Sequence, residues 1–247
     1  MLLEVCVHSV ESAIAAEKGG AQRVELCDNI PEGGTTPSHA AIALARKHLS
    51  IDLNVIIRPR GGDFLYSSLE LEIMKQDIIA AKSIGADGVV FGVITREGKI
   101  DKTVCRQLLE VAYPMRTTFH RAFDMVADPY VSLEDIISLG FDNLLTSGLQ
   151  PKANDGIPLI KKLVEHAKER ITIIPGSGIN EDNIKEIATK TKAKAFHVSV
   201  RKKTASNMVF RNNTIRMGGI EDISEYENSI TDENRVREII GILKQLN

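Results

Sequence analysis

Apolar and polar positions follow one another along this chain in a steady rhythm. Eight short apolar runs, at residues 2–7, 23–27, 53–57, 87–92, 115–120, 143–146, 171–174 and 195–199, have the length and β-branched content of strands. Each is followed by a segment with helical spacing: 10–18, 36–48, 67–83, 101–112, 132–139, 156–169, 180–190 and 232–246. In the longest of these, Leu69, Ile73, Ile78, Ile79, Ala80 and Ile84 fall on a helical repeat. Ser9 and Asp101 stand where a helix needs a side-chain cap, and Gly19-Gly20 ends the first helix. Strands alternating with helices predict a parallel sheet, and eight such units predict a closed (β/α)8 TIM barrel. A doubly wound open sheet is the alternative, but such sheets rarely use eight regular units this short. No linker or shift in composition divides the chain, so residues 1–247 read as one domain.

In a barrel of this kind the chemistry belongs at the carboxyl ends of the strands. Period-two alternation then separates side chains facing the lumen from those under the helices. Glu4 and Cys6 share one face of the first strand, and Glu25 and Cys27 share one face of the second. Their opposite faces, Leu3 with Val5 and Val24 with Leu26, are apolar and pack outward, which turns the glutamates and cysteines inward. A buried carboxylate needs a partner. Arg58 on the third strand is expected to pair with Glu25, and His197 and Arg201 on the eighth to serve Glu4. Such a network can be catalytic, or can do no more than satisfy buried charge.

Four mouth segments are candidates for function. In Ile56-Ile57-Arg58-Pro59-Arg60-Gly61-Gly62-Asp63-Phe64 a strand runs into two arginines, whose forked donors suit a carboxylate or phosphate. The glycines there allow close approach of backbone to a ligand, whereas a plain turn with solvated arginines is the bland reading. His120 and Asp124, just past the fifth strand, can form a base oriented by a carboxylate, or only cap a strand end. Gly176-Ser177-Gly178 lies between the seventh strand and a helix expected from Asn180, where barrels hold phosphate on backbone N–H groups; Arg201 would add charge. The alternative is a tight turn capping its own helix. Lastly, Cys6 and Cys27 end adjacent strands ~4.8 Å apart, so one soft ion such as Cu(I) can touch both sulfurs. Free cysteines also serve as small buried hydrophobes, and Cys105, near a helix start, has that part.

Composition narrows the partners. A net charge of −2 without a basic cluster, only 4% aromatics and no Trp argue against nucleic acid. The amino terminus lacks a basic region followed by a long apolar run, so neither a signal peptide nor a membrane span is expected. Three cysteines in 247 residues suit free thiols in a reducing cytoplasm, and their spacing matches no zinc motif.

Taken together, Glu4-Val5-Cys6, Val24-Glu25-Leu26-Cys27, Glu32-Gly33-Gly34-Thr35-Thr36-Pro37-Ser38, residues 57–64, residues 119–124, Leu145-Thr146-Ser147-Gly148 and Phe210-Arg211-Asn212 resemble the CutC family of copper homeostasis proteins. The similarity extends to Ser224-Glu225-Tyr226, nearly the whole chain. It implies a cytoplasmic (β/α)8 barrel, assembled as a homo-oligomer (dimer or tetramer), with Cys6 and Cys27 as Cu(I) ligands. Two functions follow. One is copper homeostasis through those thiols. The other is an enzyme acting on an anionic small molecule, phosphorylated or carboxylated, with Glu25, Arg58, His120 and Asp124 catalytic and Gly176, Ser177, Gly178 and Arg201 holding the anion.

Overall fold

The computed structural model describes residues 1–215, 217 and 224–246. Eight parallel strands form the wall of the predicted barrel: β1 (Leu2–Val7), β2 (Arg23–Leu26), β3 (Asp52–Ile56), β4 (Gly88–Phe91), β5 (Arg116–Phe119), β6 (Asn143–Thr146), β7 (Thr172–Pro175) and β8 (Ala195–Val198). They pair in the order β7-β6-β5-β4-β3-β2-β1-β8, and β7 lies alongside β8 to close the ring nearly completely. Outside it run α1 (Val10–Lys18), α2 (His39–His48), α3 (Ser68–Ile84), α4 (Lys102–Ala112), α5 (Pro129–Leu139), α6 (Ile157–Ala167), α7 (Ile184–Thr191) and α8 (Glu233–Lys244). Among the described residues, no helix is long and apolar enough to cross a membrane.

Local chemistry sets where the helices start. The Ser9 hydroxyl accepts from Ser12 N–H, Asp101 accepts from Val104 N–H, and Ser67 with Glu70 closes a reciprocal cap on α3. The helix after β5 starts at Pro129 rather than 132, because Asp128 caps it and proline suits the first helical position. The one after β7 starts at Ile184 rather than Asn180. Asn180 N–H donates to the Asn183 side chain, and the Asn180 side chain accepts from Asp182 N–H, which holds this stretch in turns.

The wall is sorted as the alternation predicts. Leu3, Val5, Val24, Leu26, Leu53, Val55, Phe91, Phe119 and Phe196 face outward into one apolar core with the helices. The lumen is divided. Leu145, Ile174 and Ala195 form a small apolar cluster on one side, while Glu4, Arg23, Glu25 and Asn54 are buried together on the other. A two-stranded antiparallel ribbon, β9 (Arg201–Ala205) with β10 (Glu227–Thr231), leaves the wall between β8 and α8. Residues 201–205 are too polar to read as a strand from periodicity, so the pattern shows no ribbon there.

Candidate functional site

At the carboxyl ends of the strands opens a hollow of about 550 Å³, into which Cys6, Glu25, Cys27, Arg58, His120 and His197 all project. Another, of about 700 Å³, lies at the opposite end around Met1, Leu2 and Lys194, and gathers no nucleophile or paired acid. The chemistry is therefore at the mouth.

Beneath the mouth, β1, β2, β3 and β8 hold a line of charges. Strand register places Glu4 beside Arg23 and His197, and Cys6 beside Glu25. Arg23 Nε donates to Glu4 Oε2 at 2.6 Å, Asn54 Nδ2 donates to the same oxygen at 3.1 Å, and His197 Nδ1 meets Glu4 Oε1 at 2.7 Å. His197 Nε2 is 3.5 Å from Glu25 Oε2. Burial alone would raise the Glu4 carboxyl, but Arg23 and His197 prevail and hold it down at about 2. Burial opposes charge on His197 too; its contacts with Cys6 and Glu4 and the nearby carboxyls outweigh that and keep it protonated well above its ordinary value. Glu25 has less support. Burial pushes it up to about 8, against the pull of His197 and with the charges of Cys6 and Glu4 adding to the rise, so it is neutral at pH 7.

The two sulfurs end this line. Cys6 Sγ and Cys27 Sγ are 3.2 Å apart, as the period-two reading requires. The hydrogen bond from Cys27 lowers the Cys6 thiol well below its usual value, assisted by the His197 and Arg201 charges against burial. The same bond, with burial, raises Cys27. Cys6 is thus the more acidic sulfur of the pair. At a metal–sulfur distance of ~2.3 Å both sulfurs can reach one ion. Glu25 has an oxygen within 4.8 Å of both, but it is protonated. Glu4 and His197 also cluster with Glu25, yet they hold each other as an ion pair. What remains at neutral pH is a two-sulfur donor set, which fits a soft monovalent ion better than zinc, for which four ligands are usual.

Several expected pairings are corrected. Arg58 does face the mouth, but it does not pair with Glu25. Its Nη1 donates to the Glu32 and Gly34 carbonyls at 2.7 and 2.9 Å, and its Nη2 to the Gly62 carbonyl at 2.8 Å, since the 32–36 loop wraps over it. Gly61 leaves room for a neighbouring side chain: a Cβ there would lie 2.1 Å from Glu32 Oε2. Arg60 turns away to Glu70 at 2.5 Å and Asp63 at 3.0 Å. His120 and Asp124 both line the mouth without forming a pair. Asp124 accepts from Arg121 Nε at 2.7 Å, from the Thr146 hydroxyl at 2.5 Å, and from Ser147 and Leu149 N–H, so it staples two loops. His120 Nδ1 accepts from Ala122 N–H at 3.2 Å instead.

The glycine loop is only partly available. Gly176 N–H donates to Thr146 O, the Ser177 hydroxyl donates to Pro151 O, and α7 begins too late to aim its positive end at the mouth. Ser177 and Gly178 line the hollow with left-handed backbone. Arg201 lines it as well, from the start of β9, with Nε donating to Ser199 Oγ at 2.8 Å rather than to Glu4. Cys105 is buried and donates to Val93 O, the structural part expected of it.

Arg23 is the buried charge that sequence reasoning missed. The signal was there: Arg23, Glu25 and Cys27 lie two apart on one strand, so the alternation that turns the last two inward turns Arg23 inward as well. Asn54 gives the same signal on β3, two residues before Ile56 and four before Arg58.

Comparison with known proteins matches this chain over residues 1–202 to the model of the CutC family. A human relative named copper homeostasis protein cutC homolog is 49% identical over 245 residues, covering 99% of this chain and 90% of the relative. A CutC family protein of Bacteroides fragilis is 53% identical over 240 residues, 97% of this chain and 96% of that one. A crystal structure of CutC from Streptococcus agalactiae superposes with a TM-score of 0.77 at 37% identity, over 80% of this chain and 97% of that one.

Proposed function

This chain belongs to the CutC family, and on that premise we propose that it serves copper homeostasis by binding Cu(I) between Cys6 and Cys27. The observation that carries the reading is the 3.2 Å approach of two sulfurs in an open polar mouth. Copper is cargo here. Taking it up displaces the proton that Cys27 shares with Cys6, and the His197 and Arg201 cations offset the second thiolate so formed. Glu4 lies behind this centre and keeps His197 charged and in place, and Arg23 in turn holds Glu4. The reading includes a reducing compartment, the cytoplasm, because an oxidised pair has no thiolate to offer. It also includes a homo-oligomer. Support for that comes from the segment after β9, where Val209 is 98% and Phe210 76% exposed, next to exposed Met208.

The test is anaerobic Cu(I) titration against a competing chelator. Wild type should take up one equivalent, and the Cys6→Ser, Cys27→Ser double variant should take up none while keeping its melting temperature. Undiminished uptake by the double variant would remove the proposal.

A further inference from the structure

Copper leaves the other wall of the mouth unexplained. β5 stands half-way round the ring from β1, and His120 follows it into the hollow. Its ring is fixed on several sides. Ala122 N–H donates to Nδ1, the Phe64 ring meets it edge-on at 5.0 Å, and Gly92 leaves the space it fills, where a Cβ would lie 2.7 Å from Nδ1. With Nδ1 accepting, the single proton of the neutral imidazole is on Nε2. That N–H is buried and has no acceptor among the described residues. Burial, then the charge of Arg58, lowers His120 to about 3, in keeping with the neutral ring.

Arg58 is the second unanswered group. His120 and Arg58 are each only 4% exposed. The guanidinium lies 5.0 Å over the same Phe64 ring and donates to three backbone carbonyls. Among the described residues no carboxylate comes within ion-pair distance of it. Two carboxylates of the same hollow are engaged elsewhere: Asp124 by Arg121 and the loop N–H groups, and Glu32 by the Asn29 side chain. A buried cation answered only by dipoles, beside a buried N–H answered by nothing, is costly in a folded protein. One ligand anion between them relieves both.

We propose that the mouth binds a small organic carboxylate, with oxygens accepting from His120 Nε2–H and facing the Arg58 guanidinium. Its apolar body lies against Ile30, Ile56, Leu145 and Ile179, which line the same hollow. One buried cation and one neutral donor balance a single negative charge, which selects a carboxylate over a phosphate dianion. Copper is not needed for this, and the site uses neither sulfur.

The test is calorimetric titration of the copper-free, reduced protein with benzoate, its neutral counterpart benzamide, and inorganic phosphate. Benzoate should bind about tenfold or more tightly than benzamide, the worth of a charge-assisted hydrogen bond. His120→Phe should weaken benzoate binding about tenfold, and His120→Gln, which keeps an N–H donor, should restore part of it. Should His120→Phe fail to fold, ¹⁵N spectra of the wild-type imidazoles supply the same answer: benzoate should shift an Nε2–H resonance. Benzoate no tighter than benzamide, phosphate binding in place of benzoate, or an Nε2 signal unmoved at saturation would overturn the proposal.

Discussion

Glu25→Gln replaces the one neutral carboxyl of the mouth with a group of the same shape that cannot ionise. Burial holds the Glu25 proton up to about 8, against 4.5 for an ordinary glutamate. Between those two values the folded protein keeps a proton that the unfolded chain has released. Wild type therefore loses stability as pH rises through this window, by at most ~1.4 kcal/mol per pH step and ~5 kcal/mol in all. The glutamine variant has no such slope. Its advantage over wild type should be near zero at pH 4.5, grow steadily, and level off above pH 8. His197 and Cys6 are present in both proteins, so the difference between the two profiles reports Glu25 together with its coupling to them. Urea unfolding from pH 4.5 to 8.5, with unchanged m-values, measures it. Parallel profiles, or an advantage that shrinks with rising pH, would refute the idea of a buried neutral Glu25.

Two further outcomes follow from the same geometry. Arg23→Met leaves Glu4 buried with only Asn54 and His197, and should cost ~3–5 kcal/mol in urea unfolding, whereas adding Glu4→Gln to it should recover much of the loss. Under the proposed homo-oligomer, Val209→Asp with Phe210→Asp should yield monomers by light scattering while leaving the melting of the barrel little changed, because both side chains stand clear of the core.

The barrel was legible because its signals are local and repeated. Each strand carries its own alternation, so the inward set Glu4, Cys6, Glu25 and Cys27 and the outward set Leu3, Val5, Val24 and Leu26 could be separated residue by residue. The approach of Cys6 to Cys27 followed from the same rule, with adjacent strands in parallel register. Partner choice was less legible, since it depends on where long side chains end rather than where they begin. Arg58 starts on the correct face, yet its guanidinium is taken by carbonyls of the 32–34 loop and Gly62. Spacing placed Asp124 near His120, but N–H groups from the next βα loop, 23 and 25 residues on, bind it more fully than one imidazole could. Arg23 was overlooked for the opposite reason: a charge at the first residue of a strand reads as solvated, although the alternation turns it inward and its ladder pairing with Glu4 buries it. The ribbon of β9 and β10 has no apolar face and so leaves no periodic trace.

The central claim is that two sulfurs at the mouth hold Cu(I), and X-ray absorption at the copper edge of the loaded protein tests it most directly. The account predicts a first shell dominated by two sulfurs in wild type, lost in the Cys6→Ser, Cys27→Ser variant. A shell of nitrogen and oxygen alone, or the same spectrum from both proteins, would contradict it.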